Sequence, residues 1–163
     1  MFHVGDRVVY PMHGAGVIEA VEEREILGER KEYYVMRMPI GEMQVLIPVD
    51  GVDQIGLREV MAADAWESVA EVLSTEDTEV YTNWNRRYRA NAERLKTGDI
   101  YEVAAVVRNL MVRDRHRSLS TGERKMLDNA KRILVSEIVL ACGVDEACAA
   151  RWIEEAVLAN QSA

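Results

Sequence analysis

The densest concentration of functional side chains in this sequence is Asn83-Trp84-Asn85-Arg86-Arg87-Tyr88-Arg89, a large aromatic followed by three arginines within five positions. Planar guanidinium groups pair bidentately with phosphate oxygens and fit a narrow minor groove, and an indole ring can enter a base step. The chemistry implied is recognition of a nucleic-acid backbone, not the making or breaking of bonds. On a helix, Arg86, Arg89 and Glu93 fall near one face, and Arg87 and Arg94 lie angularly close to each other. Trp84, Tyr88, Asn91 or Ala92, and Leu95 form a third stripe. That stripe leaves Trp84 with two readings. By spacing it is the first core residue of its helix; by its neighbours it is an exposed wedge, inserted at a cost of a few kcal/mol of unstacking. Spacing and composition alone favour the core reading, and Trp66 and Trp152, which lack basic neighbours, share it.

A second basic group, Arg113, Arg115, His116 and Arg117, is expected in a loop, with Arg124 and Lys125 beginning the helix beyond it. Charge runs are ordinarily solvated surface. Here the helices carrying the two groups are sequential neighbours, so the groups are free to converge.

Catalytic constellations are not evident. His3, His13 and His116 fall in different elements, and the chain contains no HExxH, GxSxG or P-loop pattern. His13-Gly14-Ala15-Gly16 superficially resembles a phosphate loop but joins two expected strands without a following helix, so a tight β-turn is the better reading. Cys142 and Cys148 match no common zinc spacing and read as reduced, partly buried thiols. An enzyme with a site assembled from His13 and the acidic run Glu22 to Glu25 is the weakest of the readings considered. No catalytic residue, cofactor, metal or small-molecule substrate is expected.

The elements that must position the basic residues follow from hydropathy patterning. The chain has 163 residues, 48% hydrophobic, enough for two small packed units. The net charge of -8 is unevenly spread: residues 1–52, 53–83, 84–125 and 126–163 carry nets of -4, -7, +6 and -3. Screening confines exposed charges to roughly 8–10 Å, so phosphate contacts respond to the local basic segment. The absence of a long apolar run and the charged N-terminus, with Asp6 and Arg7, point to a cytoplasmic protein with no membrane partner.

From Val4 to about Leu57 the texture is short, β-branched and punctuated by glycine. RVVYP, GVIEAVEEREI, EYYVMRMP, MQVLIPVD and VDQIGL are read as five strands. About fifty residues cover two faces of an open sheet poorly, so closure into a small barrel is expected. Beyond Met61 the period becomes helical. Helices are expected from Asp64 to Leu73; from an Asn83 cap to Gly98; from Asp99 to the RDRHRS stretch; after a Ser120/Glu123 capping box; and from Glu146 to Ala159. STEDTEVYTN is read as an acidic turn. The fold class is therefore α+β in two domains: an antiparallel β-barrel over 1–57, a connector at 58–63, and a compact all-α domain of about five helices over 64–163. The barrel, acidic and poor in aromatics, suits a protein partner. In Met43-Gln44-Val45-Leu46-Ile47 both alternating faces are apolar, more than one buried face explains.

Taken together, VGDRVVYPMHGAGVIEAVE, GERKEYYVMRMP to VLIPVD, IGLREV, TNWNRRYRANAERLKTGD, VVRNLMVRD and LSTGERKMLDNAKRIL closely resemble the CarD/CdnL family of bacterial RNA polymerase-binding transcription regulators. The barrel block alone is shared with the polymerase-binding module of transcription-repair coupling factors, but no ATPase motif accompanies it here. The resemblance implies a Tudor-like, SH3-like barrel that binds the β1 lobe of the RNA polymerase β subunit. It also implies a helical domain that contacts promoter DNA near the upstream edge of the −10 element and stabilises the open complex. Trp84 matches the family's minor-groove wedge; Arg86, Arg87 and Arg89, with Arg124 and Lys125, match its basic positions. Arg24 matches a polymerase-contact position. Some members carry arginine where this chain has Leu46, so either an apolar contact, with Val45 and Leu46 as the polymerase-binding candidates, serves there or affinity drops. Association with the nucleoid through the polymerase follows, and a nonspecific architectural DNA-binding protein is the alternative.

Overall fold

The computed structural model describes residues 1–75 and 83–159. Strands β1 (Arg7–Tyr10), β2 (Gly14–Ile26), β3 (Glu29–Arg37), β4 (Gln44–Pro48) and β5 (Arg58–Glu59) form one antiparallel sheet in the order β4-β3-β2-β1-β5. The His13-Gly14 stretch is a hairpin turn, as read from sequence, closed by the His13 N–H donating to Tyr10 O at 2.9 Å. The β2–β3 hairpin turns at Leu27 and Gly28, both with positive φ (54° and 81°), as a two-residue turn matched to strand twist requires. One sheet face carries the first core: Val8, Ile18, Tyr34, Met36, Met38, Ile47 and Leu57.

Two expectations for the sheet half are corrected. VDQIGL is not a strand: Val52–Ile55 form a short helix, α1, closed by Gly56 in the left-handed region, whose N–H donates to Val52 O. One helical turn brings Val52 and Ile55 to the same side, where both pack on the sheet core. The fifth strand is instead β5, within the stretch expected to be connector, paired with β1 at Val8↔Glu59 and Val9↔Arg58. The sheet is also open, with β4 and β5 as its two edges, rather than a closed barrel. Closure was expected because so short a segment lacks cover for a second face. That cover comes from later in the chain.

It is supplied by the helical half: α2 (Trp66–Ser74), α3 (Trp84–Lys96), α4 (Ile100–His116), α5 (Thr121–Cys142) and α6 (Glu146–Ala159). Their apolar stripes meet in a second core that includes Leu73, Val106, Val107, Leu110, Leu134, Ile138 and Ile153. Caps fall where the sequence places them, with Asn83, Asp99 and Ser120 each accepting from backbone N–H groups one turn on. Arg113, Arg115 and His116, expected in a loop, form the last turn of α4. Cations are favoured there by the negative end of the helix dipole. Trp66 and Trp152 pack ring on ring at 5.4 Å, half-buried as core-edge residues. The acidic turn expected at 74–83 lies mostly outside the described residues.

α5 is the spine that joins the halves. The Ala15 N–H donates to Ser136 Oγ at 2.9 Å, Arg7 donates to Leu140 O, and Arg132 donates to His13 O at 3.2 Å. At the centre, Arg58 of β5 grips the fully buried Glu137 through both terminal nitrogens, at 2.7 and 2.9 Å, while its Nε donates to Gly98 O at 2.8 Å. The Met61 N–H adds a third bond to the same carboxylate at 2.8 Å. A buried charge is tolerated when it is paired and hydrogen-bonded, and here the carboxylate accepts three bonds, two of them from its counter-charge.

Candidate nucleic-acid interface

The first turn of α3, the last turn of α4 and the first turn of α5 meet around one carboxylate. Glu123, only 2% exposed, accepts from Arg87 Nε at 2.9 Å and from a second Arg87 nitrogen at 3.4 Å. Arg113 approaches the same carboxylate to 4.0 Å, and the Ser120 hydroxyl donates to it at 3.4 Å. Burial by itself pushes Glu123 up. The hydrogen bond and charge of Arg87, the charge of Arg113 and the bond from Ser120 outweigh it, and its pKa lies below the ordinary carboxylate value.

Trp84 sits on the rim of this junction. Its ring stacks on Tyr88 one turn along α3, with centroids 5.0 Å apart and planes 18° from parallel. Its Nε1 donates to Ser120 Oγ at 3.1 Å, and the neighbouring Cζ2 edge lies over Gly122. One edge and one face are thus covered, and the residue remains 43% exposed. The sequence left a core residue and a wedge as alternatives. The ring belongs to neither limit: it is braced on the protein and open on its outer side.

The segments carrying the two basic groups meet, because Trp84 and Tyr88 pack at Ser120 and Gly122 and both Arg87 and Arg113 turn to Glu123. Arg86 and Arg89 are exposed on α3, and Lys125 is exposed on α5; none makes an ion pair with the described residues. Arg124 is exposed but pairs with Asp114 at 2.7 Å, tying α5 to the end of α4. Arg87 differs from its neighbours, being half-buried and committed to Glu123. Arg94 on the same side pairs with Glu102 at 3.7 Å. Three residues that matter to the geometry were not singled out as site residues from sequence: Tyr88 and Ser120 were visible only as core stripe and cap, and Glu123 only as the cap's partner. Its pairing with Arg87 is a tertiary contact that no local spacing announces.

On the sheet, Arg24 lies exposed on the outer half of β2, bonded to Glu22 through two nitrogens at 2.8 and 3.0 Å. Val45 and Leu46 lie on the edge strand β4, Val45 against the sheet core and Leu46 half-buried opposite Val35. The structure does not bring the two groups together. Across the sheet from Leu46 come Val35 and then Ala20, and Arg24 is four residues further along β2, about 13 Å at strand rise.

Comparison with known proteins accords with both halves. Residues 68–154 match the family described as CarD, C-terminal domain, and residues 2–61 match the CarD-like/TRCF RID domain. YdeB of Bacillus subtilis (strain 168), whose name describes it as a candidate transcription factor, is 42% identical over 146 residues, covering 90% of this chain and 95% of its own length. The solution structure of the 72-residue N-terminal domain of Myxococcus xanthus CarD is 34% identical and covers 36% of this chain and 79% of that one, with a TM-score of 0.32. With both halves and nearly the full length of a relative matched, the chain belongs to the CarD family of transcription regulators.

Proposed function

We propose that this protein binds RNA polymerase through its sheet and promoter DNA through its helical half, and that Trp84 wedges into the minor groove at the upstream edge of the melting region. The observation that carries the reading is a half-exposed indole, braced on one face and one edge at the start of a helix that also carries exposed Arg86 and Arg89, against the start of a second helix that carries exposed Lys125. The cations hold phosphates and set register, and the ring replaces a lost base stack. Arg124 joins them by exchanging Asp114 for a phosphate. Arg87 serves the site from beneath, by fixing α3 to α5.

The match of residues 2–61 to a CarD-like/TRCF RID domain supports a polymerase partner for the sheet; we place the contact on the β1 lobe of the β subunit as the family resemblance implies. There Leu46 on the β4 edge supplies an apolar contact, with Val45 next to it on the opposite face of the strand, and Arg24 supplies a charged one. Action near the nucleoid of the cytoplasm follows from that partner. The mechanism is differential affinity: tethered by the sheet, the protein contacts DNA best when strands are separating, so the open complex is favoured. A factor binding closed and open complexes equally would shift nothing.

The test uses purified polymerase and a promoter fragment. Added protein lengthens the open-complex lifetime, and Leu46→Asp abolishes that effect and polymerase retention while leaving binding to naked duplex intact. Equal lifetimes with and without the protein, or retention unaffected by Leu46→Asp, would overturn the reading.

A further inference from the structure

We infer that Ser120 is the positioning residue of the Trp84 wedge: its hydroxyl holds the indole N–H while Glu123 holds the hydroxyl. The inference rests on the reading of Trp84 proposed above and adds how the ring is presented. A serine hydroxyl has one hydrogen to donate and two lone pairs to accept with. Here all three are used. The hydrogen points to Glu123 Oε1 at 3.4 Å, and the lone pairs take the Glu123 backbone N–H at 3.2 Å and Trp84 Nε1 at 3.1 Å. With its hydrogen committed to the carboxylate, the oxygen faces the indole as an acceptor. Glu123 is in turn immobilised by Arg87 and by the nearby charge of Arg113.

The consequence is a ring with a defined plane and a defined edge. Tyr88 sets the plane by stacking, Ser120 sets the edge by a directional bond, and Gly122 lies beneath both rings. The residue stays 43% exposed, which leaves ring surface for a base step to receive. A side chain ordered before binding spends no affinity on being ordered during it. The wedge is thereby a property of the free protein, not one induced by DNA.

The experiment compares the full-length parent with Ser120→Ala, Ser120→Thr, Trp84→Phe, Trp84→Ala and the double variant Trp84→Phe/Ser120→Ala. Two readouts are taken: the Trp84 indole N–H resonance in nitrogen-15-labelled protein, identified by its loss in Trp84→Phe, and the open-complex lifetime with purified polymerase. Ser120→Ala shifts that resonance and speeds its hydrogen exchange. It shortens the lifetime about three- to tenfold, the scale of one net hydrogen bond. Ser120→Thr, which keeps both cap and acceptor, restores both readouts. In the Trp84→Phe background, where there is no indole N–H to hold, Ser120→Ala shortens the lifetime no further. Equal shortening by Ser120→Ala in both backgrounds would reduce Ser120 to a helix cap and overturn the inference. So would an unchanged resonance, or an unchanged lifetime for Ser120→Ala where Trp84→Ala shortens it. If Trp84→Ala itself changes nothing, the wedge reading falls and its presentation with it, while the resonance still reports whether Ser120 grips the ring.

Discussion

Single residues in the helical half divide sharply by what they face. Arg86 and Arg89 face solvent, whereas Arg87 is spent on a buried carboxylate. Arg86→Ala or Arg89→Ala is therefore expected to weaken duplex binding and to reduce the log–log salt slope by about one unit each, as loss of a phosphate contact does. Arg87→Ala is expected to act through stability instead, by removing the nearest partner of buried Glu123 and leaving it to Arg113 and Ser120, at a cost of up to about 3–5 kcal/mol. A salt titration of affinity beside a denaturant titration of stability separates the two; a slope change in Arg87→Ala without loss of stability would contradict the assignment. Glu123 also predicts a pH dependence. Its folded pKa lies below its unfolded value, so its contribution is complete above the ordinary carboxylate range, about 4.3, and is lost as pH falls through the folded value. Glu123→Gln should flatten the decline of stability below about pH 4.3; parallel declines would refute the pairing. Of these roles, the sequence exposed the arginine cluster and the Trp84 ambiguity. It could not rank the three arginines, because which one turns inward depends on a carboxylate 36 positions away.

At the level of elements, caps and periodicity were legible because they are local. Asn83, Asp99 and Ser120 all cap, and α6 spans Glu146–Ala159 as read from its stripe. What was not legible was set by distant contacts. VDQIGL has strand-like composition, but Val52 and Ile55 reach the core together only on a helical turn. The barrel expectation failed because cover for the second face of the sheet comes from α5, more than a hundred residues on. Gly98 marks how closely the elements meet. Its φ is +71°, and a Cβ there would lie 2.7 Å from Pro11 Cγ. Gly98→Ala is expected to lose at least about 1–2 kcal/mol from the left-handed backbone alone, with further loss from displacing Pro11. Denaturant unfolding checks this; parental stability would show that the contact yields freely.

Across the whole molecule, opposite charges are segregated so that an acidic protein carries a basic, aromatic-edged surface at one helical junction. The sheet and that junction are joined through α5, whose Glu137 end is gripped by Arg58 and whose Ser120 end braces Trp84. On the proposed function, α5 would hold the Trp84 ring at a set distance from a sheet bound to polymerase. Glu137→Ala should destabilise by up to about 3–5 kcal/mol, by leaving the guanidinium of Arg58 with backbone carbonyls alone, and loosen that distance; replacing both partners by apolar residues should cost much less. Equal losses for the single and double variants would argue against the clamp. The central claim, that one braced indole enters the separating strands, is tested most directly by 2-aminopurine placed at the upstream edge of the melting region in a polymerase–promoter complex. The parent protein is expected to change the probe's fluorescence as stacking passes from base to indole, and Trp84→Ala, though still bound to polymerase, is expected not to. The same fluorescence change with both proteins would contradict the account.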